Sequence, residues 1–340
     1  MVNSPLIAEL IAQPQAISWL PWAVQYFFFI GIAASGALLA AGLHWRCPEN
    51  SRLEGITLFI TLTCAIVAPL ALTADLHQTA RVWHFYAWPT PWSWMPWGAV
   101  FLPLFTLFIG LWFVAFHLQR FTGRRFALTR WVAVAAALTA VGLLLYTGRE
   151  VSVVRARPIW FSYAFPLVMF FSAMQTLLAL LLAVVPATGR SSRLLAAGQA
   201  GALLLSGITM AVWLSGDTLS GTAFRQWLGL SGQARGLAII ILALWLSCLA
   251  LAVCVSRKGG ARTLTTPGVL LAMGLSWLLR WTLLMEVQTV PKFSALVNLY
   301  SLPFGSDGWL AIVGTFGLWL ALMIMVREGL NWIAGRVQHG

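Results

Sequence analysis

Charge is what this sequence has least of. Only 9% of its 340 residues are Asp, Glu, Lys or Arg, against 60% hydrophobic, and the acids number nine. A water-soluble surface cannot be built from that supply, which places the chain in a bilayer. Cysteine is scarcer still: Cys47, Cys64, Cys248 and Cys254 form no C-x-x-C pair. They read as small buried hydrophobes, and the chain offers no ligand set for a metal ion or an iron–sulfur cluster of its own. A haem held within the membrane needs histidines facing one another across helices; His44 and His117 both fall at the same, basic end of apolar runs, and His77 and His84 share one connector. The opening MVNSPLIAELIAQPQ lacks a basic n-region, an A-x-A-like cleavage site and a lipidation motif. No removable signal is expected.

What the sequence does have is long apolar runs, nine of them, near 22–45, 53–74, 98–119, 128–148, 161–186, 194–215, 236–256, 267–287 and 308–327. A hydrocarbon core of about 30 Å takes roughly 20 residues of helix, and a helix satisfies its backbone polar groups within its own segment. Barrel strands would alternate polar with apolar, and these runs do not. The expectation is an all-α integral membrane protein, a single polytopic domain of about nine transmembrane helices.

Thirteen Lys or Arg lie in the first, third, fifth and seventh connectors and the C-terminal tail, seven lie on the opposite side, and Arg280 falls inside a run. The positive-inside rule then predicts an external N-terminus and a cytoplasmic C-terminus. The net charge of +12 is topology information of this kind, not a nucleic-acid surface. Connectors predicted to be cytoplasmic are short and basic, such as QRFTGRR; those predicted to be external are longer and rich in aromatics, Pro and Gly. Function is expected on the external face.

Four of the nine acids, Asp75, Glu150, Asp217 and Glu286, fall at the external ends of the second, fourth, sixth and eighth runs. An acid at a helix C-terminus opposes the helix dipole by about 0.3 to 1 kcal/mol. Interfacial ion pairs, with Arg81, Arg149, Arg157, Arg225 or Arg280 as partners, would account for them; so would a ring of proton acceptors around a site. In LLLYTGREVSVV, Tyr146 and Glu150 are four residues apart and share a helix face, with Arg149 beside them. A phenol and a carboxylate so placed would cradle a hydroxyl-bearing ring such as a quinol, and an interfacial aromatic beside a snorkelling charge would have the same spacing. Arg280 lies about 20 Å along the eighth run at 1.5 Å per residue, a depth at which a partner or a polar cavity is expected.

The stretch IGIAASGALLAAGLHW, the D-x-x-x-x-x-R-x-W connector leading from Asp75 to PTPWSWMPWGAV, and LYTGREVSVVRARPIW together resemble the polysulfide-reductase membrane subunits, the NrfD-like family. LSGDTLSGTAFRQW and RWTLL-x-x-VQTVPKF narrow the likeness within that family. The resemblance runs over nearly the whole chain. It implies a haem-free subunit in a bacterial inner membrane that oxidises menaquinol. An iron–sulfur ferredoxin-like subunit on its outer face would carry electrons to a molybdopterin catalytic subunit. By the same likeness Tyr146 contacts the quinone, Asp75 is the acid ending the second helix and Arg280 is the buried arginine. Where relatives carry an asparagine and a histidine early in the first helix, this chain reads PWAVQYFFF, with Gln25 and Tyr26 as the nearest polar stand-ins.

The connector from 73 to 98 gathers five tryptophans and three prolines around Asp75, His77, Arg81 and His84. The tryptophans form an interfacial belt and the prolines prevent a continuous span. The charged and imidazole groups then lie where a quinol head, a proton exit and a docking protein would meet, and Asp75, Glu150 and His77 are the proton-handling candidates. Two further classes fit the composition. A secondary transporter would place polar sites at the midplane of broken, repeated helices, and GREVSVV and LMEVQTV hint at a duplication. A structural anchor would only tether a redox partner.

Overall fold

The computed structural model describes residues 17–47, 51–124, 126–186, 189–259, 262–290 and 300–339. Among them are nine helices long and apolar enough to cross a membrane, and no strand. These are α1 (Pro21–Arg46), α2 (Ser51–Asp75), α3 (Met95–Thr122), α4 (Leu128–Ser152), α5 (Ala164–Val184), α6 (Arg190–Ser215), α7 (Gly232–Lys258), α8 and α9 (Trp309–His339). Helix α8 is composite: an α-helix over Arg262–Trp281, a π turn over Thr282–Glu286 and a last α turn over Val287–Thr289.

Local chemistry sets the ends. Pro21 and Pro96 occupy first-turn positions of α1 and α3, where the missing N–H costs nothing. Gly123 closes α3 at φ 68°, a left-handed conformation that other residues adopt at a cost. Every predicted run is a helix, with ends shifted by a few residues. The larger differences are at α9, which continues to His339, and in the connector 216–235, which contains a further helix, Leu219–Leu230. That helix is capped by the Thr218 hydroxyl, which accepts from Gly221 N–H at 3.0 Å.

The helices fall into two rings of four. In the first, α1 packs on α2, α2 on α3, α3 on α4 and α4 back on α1; in the second, α5, α6, α7 and α8 repeat the pattern. Helix α1 also touches α5, α8 and α9, so it is the wall the two rings share. Small residues allow this closeness: a Cβ on Gly36 of α1 would overlap the Thr61 side chain of α2. Helix α9 lies outside both rings against α1 and α2. One end of the bundle thus gathers the starts of α1, α3, α5, α7 and α9 with the ends of α2, α4, α6 and α8. The acids Asp75, Glu150, Asp217 and Glu286 all belong to that end.

Candidate functional site

Inside the first ring, at the acid-bearing end, lies a cavity of about 800 Å³. Asp75, the last residue of α2, lines it, and so do Tyr26 of α1 and Tyr146 and Glu150 of α4. The Asp75 carboxylate accepts from the Leu20 N–H at 3.0 Å, which ties the end of α2 to the entry of α1. Both tyrosine rings are buried, at 1% and 3% exposure, and the Tyr26 hydroxyl is enclosed with no hydrogen-bond partner among the described residues. Leaving a hydroxyl so enclosed and unpaired costs about 1 to 3 kcal/mol. Tyr26, Tyr146, Glu150 and Asp75 are close enough for their charges and dipoles to interact. The remaining wall is mostly apolar, from Leu62, Ile66, Leu102 and Leu107 among others. The cavity therefore suits a ligand with a polar, proton-bearing head and a greasy body.

The connector after α2 closes the mouth. Val82, Phe85 and Tyr86 line the cavity from above, and Tyr86 is fixed by its hydroxyl, which donates to the Ala99 carbonyl at 2.9 Å. The His84 ring stands edge-on to Trp83 and Trp88, with centroids at 4.2 and 5.2 Å. The five tryptophans of this segment remain exposed, Trp92 at 83%, as an interfacial belt requires. His77 and Arg81 are also exposed. His77 lies near enough to Asp75 for their charges to interact, while neither it nor Arg81 lines the cavity.

The other expected residues go elsewhere. Gln25 is fully buried on the far side of α1: its amide donates to the Ile312 carbonyl at 3.0 Å and accepts from the Trp277 indole at 3.1 Å. Arg280, 1% exposed, sits where α1, α5 and α8 meet. It donates to the carbonyls of Phe27 at 3.0 Å, Ser276 at 3.0 Å and Met169 at 2.9 Å, and to the hydroxyls of Ser172 and Ser276. It faces a separate cavity between α1, α4 and α5. Its partners are neutral, and no carboxylate pairs with it among the described residues.

The ring of four acids divides in the same way. Glu286 accepts from the Gln233 amide and the Trp281 indole, each at 3.1 Å. Asp217 is exposed and lies 3.6 Å from Arg225. Only Asp75 and Glu150 share a cavity. Arg149 pairs with neither; its guanidinium lies over the Trp94 and Tyr163 rings, at 5.8 and 5.2 Å.

Arg157 makes no acid pair either. It is 5% exposed and donates to the carbonyls of Val287 at 3.0 Å and Gln288 at 3.1 Å, capping the end of α8. Burial pushes its guanidinium below the usual arginine range. Beside it the Trp160 indole donates to the Leu283 carbonyl at 2.6 Å, within the π turn where the α-helical ladder is broken. Gln288 then clasps the segment before α1 through Ser18 N–H and Trp19 N–H. This brace holds the shared wall in place, and nothing in the sequence pattern announces it. Gly98 is equally inconspicuous in the sequence, yet a Cβ there would overlap the Tyr146 ring. Its one signal is a glycine directly after Trp97 in MPWGAV.

Known proteins are similar along the whole chain. A model of the polysulphide reductase NrfD family matches residues 9–292. The chain belongs to that family. It is 58% identical over 342 residues to the C subunit of tetrathionate reductase from Salmonella typhimurium, covering 100% of both chains. It is 26% identical over 200 residues to the C subunit of selenate reductase from Mesobacillus selenatarsenatis, covering 48% of this chain and 47% of that one. This NrfD-family chain is thus similar to the C subunits of two reductases, along its whole length to one and over about half to the other.

Proposed function

We propose that this chain is the quinol-oxidising membrane subunit of a tetrathionate reductase-like respiratory complex. The observation that carries the proposal is a cavity lined by Asp75, Glu150, Tyr146 and Tyr26, the buried hydroxyl of Tyr26 having no hydrogen-bond partner among the described residues. A quinol head would supply the missing partner, and the apolar wall would receive its isoprenoid tail. A purely structural anchor has no use for that arrangement.

Oxidation of a quinol breaks two O–H bonds, turns two C–O single bonds into carbonyls, and releases two electrons and two protons. Tyr26 and Tyr146 orient the ring oxygens; Asp75 and Glu150 accept the protons. His77, exposed near Asp75, passes them to solvent beneath the tryptophan belt. The electrons leave to an iron–sulfur subunit docked over this end, and from it to a molybdopterin subunit that reduces the terminal acceptor. Menaquinol is the substrate proposed. By the positive-inside rule this end faces the periplasm and the basic end the cytoplasm of a bacterial inner membrane, so the protons are released outside. Arg280 and Gln25, satisfied within the helix junction, position α1 and do not touch the ring. Arg81 is left to the docking surface.

The test is quinol oxidation by the assembled complex carrying Asp75→Asn or Glu150→Gln. Each keeps shape and removes a proton acceptor, so turnover is expected to fall about 10²-fold. Asp217→Asn serves as control, with assembly checked by co-purification. Wild-type turnover in both cavity variants would overturn the proposal.

A further inference from the structure

At the opposite, basic end of the bundle a second cavity, of about 490 Å³, opens between α2, α3, α5 and α9. Three arginines from three different helices line it: Arg52 at the start of α2, Arg120 at the end of α3 and Arg327 on α9. No carboxylate lines it. Glu54, two residues from Arg52, is already held by the His44 Nδ1 at 2.8 Å. None of the three guanidinium groups forms an ion pair among the described residues. His117 of α3 lines the same cavity, and its Nε2 is buried with no hydrogen-bond partner among the described residues.

The deeper walls are apolar. Phe59 lies seven residues inward from Arg52, and Trp319 eight residues inward from Arg327, which at 1.5 Å per residue is about 10 to 12 Å. The cavity therefore has a strongly cationic mouth at the depth of the lipid headgroups and a greasy throat below it. Arginine is the side chain whose forked donors match phosphate oxygens, and three of them without a counter-acid disfavour a headgroup that brings its own ammonium.

We propose that this cavity binds one anionic phospholipid. Its phosphodiester lies between Arg52, Arg120 and Arg327, with His117 completing its hydrogen bonds, and an acyl chain runs inward along Phe59 and Trp319. The lipid would fasten α9, the helix outside both rings, to α2 and α3. Basic clefts between helices at the cytoplasmic side suit such headgroups.

The experiment uses the full chain, purified and delipidated in neutral detergent. It is titrated separately with dioleoylphosphatidylglycerol, dioleoylphosphatidylcholine and millimolar inorganic phosphate, and read by native mass spectrometry and thermal unfolding. One phosphatidylglycerol is expected to be retained per chain and to raise the unfolding midpoint. Phosphatidylcholine should bind at least about tenfold more weakly, and inorganic phosphate should give no comparable shift. Each of Arg52→Gln, Arg120→Gln and Arg327→Gln should weaken phosphatidylglycerol binding by about tenfold or more. Arg120→Lys, which keeps the charge and loses the fork, should fall between. Arg257→Gln, at the same end and outside the cavity, should bind as wild type. Equal binding of the two lipids, or undiminished binding in the three glutamine variants, overturns the proposal. A phosphate response equal to the lipid response also overturns it, in favour of a free-phosphate site. If a variant fails to insert, the comparison of lipids on the wild-type chain decides.

Discussion

The Tyr146 ring lies directly against the backbone of Gly98, where even a single methyl group would overlap it. α3 and α4 approach each other through this contact, and it fixes the tyrosine on the cavity wall. Gly98→Ala must push the ring aside or part the helices. Overpacking of this kind costs about 1 to 3 kcal/mol. The complex should lose quinol turnover while its unfolding temperature falls only modestly. Unchanged turnover would show that the ring's position does not matter.

Tyr26→Phe separates folding from binding. The hydroxyl has no partner among the described residues, so its removal should leave the unfolding temperature of the isolated chain unchanged or slightly raised. If the hydroxyl bonds to a quinol oxygen, its loss should weaken quinol use by about 0.5 to 1.5 kcal/mol, roughly 2-fold to 13-fold. Tyr146→Phe should weaken it by a similar factor. The kinetics of both variants in the assembled complex provide the check.

Arg157→Ala should act on stability, because it strips the cap from α8 and leaves buried carbonyls unpaired. The expected cost is about 1.5 to 3 kcal/mol. Hydrogen exchange should quicken in Val287–Thr289 and in the residues before α1 that Gln288 holds. Arg157→Lys keeps the charge and should recover part of the loss. Normal exchange at those amides in Arg157→Ala would sink the bracing role.

Membrane orientation is open to direct labelling. Gln78→Cys, in the connector after α2, should react with impermeant thiol reagents added to intact cells, and Ala127→Cys, at the start of α4, should not. The reverse pattern would overturn both the orientation and the periplasmic release of protons.

Runs of apolar residues made the helices legible, because hydrocarbon thickness dictates their length. Which way each helix turns was not legible, since lipid tails and protein interior are equally apolar and neither face of a span is marked. Gln25 and Tyr26 illustrate the difficulty: neighbours in sequence, they point about 100° apart on a helix. Tyr26 reaches the cavity and Gln25 is used up between α8 and α9. The four acids looked alike by position, yet only Asp75 and Glu150 end on helices that border the first ring's cavity. For Arg157 and Arg280 an acid partner was one of the alternatives that the sequence left open. Their acceptors are backbone carbonyls and hydroxyls, most of them supplied by helices far away in sequence, and no local motif announces those.

Arg280 also has an electrical consequence. Its guanidinium is a permanent positive charge held by neutral acceptors at the junction of the two rings. Phe27, whose carbonyl accepts from it, is part of the wall of the Asp75 cavity. In a medium of low dielectric such a charge repels any cation that approaches, protons included. On the proposed function, the centre of the molecule would then act as an insulator: protons released beside Asp75 and Glu150 would meet repulsion from Arg280 towards the other side of the membrane.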